Sequence, residues 1–159
     1  IFSSVLHEVG DYWRIIKKMI KNTGATIVVR DMKFGGPHKA KMNKWDFANL
    51  IRYSEPKRLA DFIQYNGLTN LKDMYHYLLK YSYVDNWNIE VSENYFSFDY
   101  KDLFKMGEIM FKDEYLLQFK KKKVEEDFHI ELEYPTHIML IMKLERTKHE
   151  KIQTYSKSH

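Results

Sequence analysis

Ala25-Thr26-Ile27-Val28-Val29-Arg30 is a β-branched run with apolar residues in succession. Strand side chains alternate between faces, so an unbroken apolar run predicts a parallel strand covered on both sides. Upstream, Asp11 can cap a helix whose Tyr12, Trp13, Ile15, Ile16, Met19 and Ile20 recur near the three-to-four spacing of one buried face. Gly24 stands where such a helix should stop. The chain opens on Ile1-Phe2-Ser3-Ser4, which reads as the end of a buried strand and lacks the basic and apolar regions of a signal peptide. Ordinary termini are exposed and polar, so an opening inside a strand is what a fragment of a longer chain would show. Strand, helix and strand form a βαβ unit, whose crossover is right-handed. That hand gathers Ser3, Ser4, His7, Arg30 and Asp31 at the carboxyl edge of two parallel strands, the edge outside which open α/β sheets bind ligands.

A chain of 159 residues predicts one domain. Hydrophobic residues make up 44% and aromatics 16%, which excludes a disordered chain, and no apolar run approaches the length of a membrane span. With no cysteine there is no disulfide framework, thiolate zinc site, iron-sulfur cluster or cysteine nucleophile, and the expected location is cytoplasmic. Lys and Arg number 26 against 22 Asp and Glu, so the net charge of +4 mildly favours anionic partners but falls short of the dense basic footprint of a dedicated DNA binder.

Beyond Arg30, the polar stretch over residues 32–43 contains Gly35-Gly36-Pro37-His38 and reads as a turn or mobile segment without a GxGxxG or phosphate-loop pattern. Helices are predicted over residues 44–53, 56–65, 70–83 and 87–95, with Pro56 fitting a first turn and Gly67 separating the second from the third. Leu71, Met74, Tyr75, Leu78 and Leu79 form a stripe of helical period. A further helix is predicted from Asp99 to about Met110, carrying Leu103, Phe104, Met106 and Ile109 to the core. Residues 115–119 read as a short strand, 120–128 as a basic-then-acidic helix and 136–144 as a strand, followed by a polar tail expected to fray.

This order resembles the carboxyl-terminal half of a class I methyltransferase that uses S-adenosylmethionine. The segment Ser3-Ser4-Val5-Leu6-His7-Glu8-Val9 is similar to the S-x-L-H-x stretch after the fourth strand of many small-substrate and RNA methyltransferases. The resemblance implies an α/β fold with a partial Rossmann-like sheet. Residues 1–4 would end the fourth strand, and residues 25–30, 115–119 and 136–144 would be the fifth, sixth and seventh. The seventh would run antiparallel and lie between the fifth and sixth. Residues 1–146 would then be half a domain, with a helical insert at about 44–110 forming part of the substrate wall, and residues 147–159 a polar tail. The glycine-rich turn and the acidic residue that hold S-adenosylmethionine in the family have no counterpart here, so the chain alone should bind that cofactor poorly and be inactive.

The resemblance also implies roles at the edge. An antiparallel seventh strand starts where the parallel strands end, bringing Glu133, Tyr134, Pro135, Thr136 and His137 toward Ser3, His7 and Arg30. Ser3 and Ser4 would line the cofactor's methionine end, or merely cap a turn. Methyl transfer needs an aligned acceptor, and a base where the acceptor must lose a proton. His7 is the candidate base, near neutral at pH 7, with Glu8 or Asp31 to orient it; the alternative is a hydrogen-bonded loop histidine. Glu8, Arg30, Asp31, Tyr134, Thr136 and His137 are candidate acceptor contacts, while an Arg30–Asp31 structural ion pair is the competing reading. His7-Glu8 has no second histidine at metalloprotease spacing, so no metal is expected. Tyr75, Tyr77, Tyr81, Tyr83, Trp87, Tyr95 and Phe96 could stack bases, with Lys72, Lys80 and Lys120 to Lys123 on phosphates, or else be core rings and solvated lysines. The expected acceptor is RNA, a nucleotide or a small hydroxylated molecule, without a membrane partner; oligomeric state is not legible. The rival is a non-catalytic nucleic-acid or protein-binding module built on the basic-aromatic tract.

Overall fold

The computed structural model describes residues 1–3, 6, 8–9, 14–16, 18, 25–81, 85–96, 100–114 and 119–144. They form a mixed α/β structure with a four-stranded sheet. The strands are β1 (Phe2–Ser3), β2 (Thr26–Met32), β3 (Gly107–Asp113) and β4 (His137–Leu144), in the order β1-β2-β4-β3. β1 pairs parallel with β2, whereas β4 is antiparallel to both β2 and β3. Residues 14–16 and 18 are helical, and the rest of the helix predicted to follow Asp11 lies outside the described residues.

Alternation fixes which side of the sheet is wet. Ile27 and Val29 of β2 face the same way as Ile138, Leu140, Met142 and Leu144 of β4, and all are buried. They join Leu6, Ile16, Tyr100 and Leu103 in one core, each large apolar side chain contributing about 1.5–3 kcal/mol on burial. The opposite face is less covered than the apolar run predicts. Val28 and Ile141 are half-buried, while Arg30 and Lys143 are exposed.

Among the described residues, the strands are connected and flanked by α1 (Lys44–Tyr53), α2 (Pro56–Asn66), α3 (Leu71–Tyr81), the short α4 (Trp87–Glu90), α5 (Tyr100–Phe104) and α6 (Phe119–Phe128), the last preceding β4. Asn43 caps α1 by accepting from the Trp45 amide at 2.9 Å. The Glu55 carboxylate caps α2, accepting from the amides of Lys57 and Arg58 at 2.9 and 3.1 Å, with Pro56 in the first turn. Gly67 ends α2 at φ 73°, the left-handed backbone that disfavours a side chain. Residues 74–80 of α3 are all buried, as befits a helix surrounded by others. Its Met74, Tyr75, Tyr77, Leu78 and Leu79 anchor a second core with Phe34, Leu50, Phe62, Trp87, Phe128 and Leu132.

Several boundaries differ from the sequence reading. The strand predicted over 25–30 continues to Met32, and the last strand begins at His137. The helix predicted from Asp99 stops at Phe104, and a strand, β3, follows at Gly107–Asp113 where the helix was expected to continue. Residues 115–118 lie outside the described residues, and Phe119 begins α6. Close pairing explains the switch. A Cβ on Gly107 would lie 2.1 Å from the Lys143 carbonyl oxygen, so glycine lets β3 approach β4 where a helical continuation would forgo the ladder. The helix predicted over 87–95 ends at Glu90, after which the Asn94 side chain accepts from the Phe96 amide at 3.0 Å and turns the chain.

The stretch after β2 is firmer than its glycines suggest. The amides of Lys33 and Gly35 donate to the carbonyls of Thr136 and Pro135, both at 2.9 Å, extending the β2–β4 pairing past the strand ends. Gly36 packs against Phe34 and Tyr134, whose ring atoms would lie 2.8 Å from an added Cβ.

Candidate functional site

The carboxyl edge of β1 and β2 forms around Asp31. This carboxylate is buried and accepts from the Leu6 amide and from the Met32 amide, both at 2.7 Å. Charge-assisted bonds of this kind hold the chain after β1 against the end of β2. Arg30 points the other way and is exposed, since adjacent strand residues face opposite sides. The proposed Arg30–Asp31 ion pair therefore does not form. Ser3 sits opposite Arg30 in the β1–β2 register and is exposed, as is Glu8. Ser4 and His7 lie outside the described residues.

From β4, His137 lies opposite Met32, with β2 between it and Ser3. Thr136 and His137 are both buried, the Thr136 hydroxyl lying 2.8 Å from His137 Nδ1. Tyr134 is half-buried: its amide donates to the Tyr75 hydroxyl at 3.2 Å, and its ring tilts against Phe34. These three residues are built into the wall behind the edge, whereas Ser3, Glu8 and Arg30 are the described candidates that reach solvent. Past the end of β3, Glu114 pairs with Lys33 and Lys112. Burial works to raise its carboxyl, but the hydrogen bond and charge of Lys33, aided by Lys112, hold it below the usual range.

The aromatic tract is core. Tyr75, Tyr77, Trp87, Tyr95 and Phe96 are buried, Tyr81 is half-buried, and Tyr83 lies outside the described residues. Tyr77 meets Phe62, Tyr81, Trp87 and Phe128 ring to ring, which leaves no face for a base. Lys80 is also buried, donating to the Glu90 carbonyl with its ammonium 3.9 Å from the Tyr95 ring centre. Burial lowers its pKa to about 8, against the opposing pull of Glu90 and Glu93. On α6, Lys121, Lys122 and Lys123 are engaged with Glu125, Glu126 and Asp127 one turn on. Among the described residues, the rings of the tract are turned into the core, and the lysines of the run face acidic partners on their own helix.

A different basic-aromatic group comes forward. His38, Lys39, Lys41 and Lys44 are exposed, and Trp45 is 81% exposed. A signal was present in the sequence: Trp45 falls about 140° around α1 from the buried Leu50, at 100° per residue. Among the described residues no group of His, Asp or Glu is arranged to hold a metal ion, and no helix is long and apolar enough to cross a membrane. No family model, curated protein or solved structure matches the chain.

Proposed function

We propose that the chain is the carboxyl-terminal half of an S-adenosylmethionine-dependent methyltransferase, acting as part of a longer polypeptide on an RNA, nucleotide or small hydroxylated acceptor. The observation that carries this reading is the sheet order β1-β2-β4-β3, in which the last strand runs antiparallel between its two neighbours. A chain that simply laid each strand beside the preceding one would put β3 next to β2. Inserting the last strand between them is the arrangement the resemblance implies.

The residues present suit only part of such a cofactor site. Ser3 is exposed at the end of β1, where the methionine end would lie, but the glycine-rich turn and the ribose-holding acid are not in this sequence. The bound cofactor would supply an electrophilic methyl group. This chain's part is to orient the acceptor and receive its proton. Asp31 acts as a positioning residue, because its bond to the Leu6 amide sets the backbone one residue before His7. His7 is the base that takes the acceptor proton, and Arg30, with Glu8, faces the acceptor from solvent.

The test is the coding sequence upstream of Ile1 and the enzyme it completes. A strand followed by a glycine-rich turn opening a helix, with an acid near the end of the next strand, is expected there. In that longer chain, His7→Ala should lower turnover by roughly 10²-fold while acceptor affinity holds. An unrelated upstream sequence, or a fully active His7→Ala enzyme, would overturn the respective assignment of fold or base.

A further inference from the structure

We infer that the segment from His38 to Trp45 is a docking surface for single-stranded nucleic acid. The inference deepens the preceding reading by naming the acceptor class, although binding at this surface requires neither cofactor nor an upstream half.

Alternation and anchoring make the segment a display. Lys39 and Lys41 are exposed, while the intervening Ala40 and Met42 are half-buried. Met42 packs on the helical core, the Ala40 carbonyl accepts from the Leu71 amide at 2.9 Å, and the Ala40 amide donates to Pro37 at 3.0 Å. Asn43 then caps α1 and fixes the backbone at Trp45. The lysines thus stand on a fastened backbone, which reduces the ordering cost of binding.

The chemistry at the surface is cationic and flat. Lys39, Lys41 and Lys44 make no ion pair among the described residues, in contrast to the paired lysines of α6. The nearest carboxylate in sequence, Asp46, is half-buried, and burial followed by the charge of Glu133 raises its pKa. Trp45 makes no ring or hydrogen-bonding contact through its side chain among the described residues, whereas Trp87 is buried and donates to Asp61 at 3.1 Å. An indole is a stacking platform for any base, and the lysines beside it suit backbone phosphates. A duplex hides its base faces, so the combination fits a single strand. The segment also directly follows the extended end of β2, on the chain leading away from the candidate acceptor edge.

The test is fluorescence anisotropy of a labelled oligouridylate with the 159-residue chain across a salt series, alongside sedimentation with phosphatidylserine vesicles. The parent chain is expected to bind the oligonucleotide. Replacing Lys39, Lys41 and Lys44 together by Ala should reduce the slope of log K against log salt by about 2, at roughly 0.7 per released phosphate contact. Trp45→Ala should weaken binding about 10-fold with little change in slope, and Trp45→Phe should recover most of the loss. Circular dichroism should match the parent for every variant, because the altered side chains are exposed. No oligonucleotide binding by the parent, unchanged binding by folded variants, or vesicle binding alone through these residues would overturn the assignment. The upstream sequence decides the methyltransferase reading separately, so the two can fail independently.

Discussion

At the scale of single residues, the structure places two charges where solvent cannot help them and treats them differently. Asp31 is buried among hydrogen-bond donors and therefore organises the chain around it. Lys80 is buried beside a carbonyl and a ring, partners that only partly replace water, and its pKa falls from the usual 10.5 to about 8. The consequence for stability has a definite sign. Between those two values the unfolded chain binds a proton that the folded chain has released, so this group's contribution to stability rises with pH across that window. Below about 8 the full cost of holding a buried ammonium is present. Lys80→Met keeps the apolar stem and removes the charge. It should stabilise the chain by about 1–3 kcal/mol at pH 7, an advantage that shrinks toward pH 10. Urea melts of both proteins at the two pH values measure this, and a pH-independent difference would refute it.

At the scale of elements, pairing and close packing matter more than local propensity. Phe34-Gly35-Gly36 has the composition of a loose turn but lies against residues 134–136. Gly36→Ala should cost about 1–3 kcal/mol, because the new methyl group would press on Phe34 and Tyr134, whose rings are held among Tyr75 and Phe96. A lower urea midpoint at unchanged slope is the expected result, and an unchanged midpoint would show that these rings give way freely. The same contrast explains what was legible beforehand. α1 could be read to its last residue because its cap and period are local, and α2 and α3 were nearly so for the same reason. β3 could not, because Gly107-Glu108-Ile109-Met110-Phe111 continues a helical spacing and becomes extended through its pairing with β4. At the candidate site, the grouping of Ser3 with Arg30 was accessible from the parallel pairing, whereas burial of the tyrosine tract depended on distant Phe62 and Phe128. The exposed Trp45 was marked only by its angle on α1.

At the scale of the whole molecule, two adjacent lengths of chain run from one core into the other side by side. β2 gives Ile27 and Val29 to the sheet core and Met32 to the helical core, which Phe34 just past its end also joins; toward β4, Ile130 and Leu132 belong to the helical core and Ile138 onward to the sheet core. The bonds from Lys33 and Gly35 to residues 136 and 135 tie these lengths together at the crossing. The protection around them is uneven. α3 is enclosed along residues 74–80, whereas β3 is an edge strand with Ile109, Met110 and Phe111 exposed and a register shift between Ile109 and Phe111. An edge ladder can open without disturbing the helical core, while exposing α3 requires breaking that core. Native-state hydrogen exchange should therefore find the slowest amides in α3 and faster, local opening in β3, with β2 and β4 intermediate because each has a neighbour on both sides. Equal protection of β3 and α3 would mean that the crossing couples both cores into a single opening unit. Faster exchange in α3 than in β3 would contradict the burial that separates them.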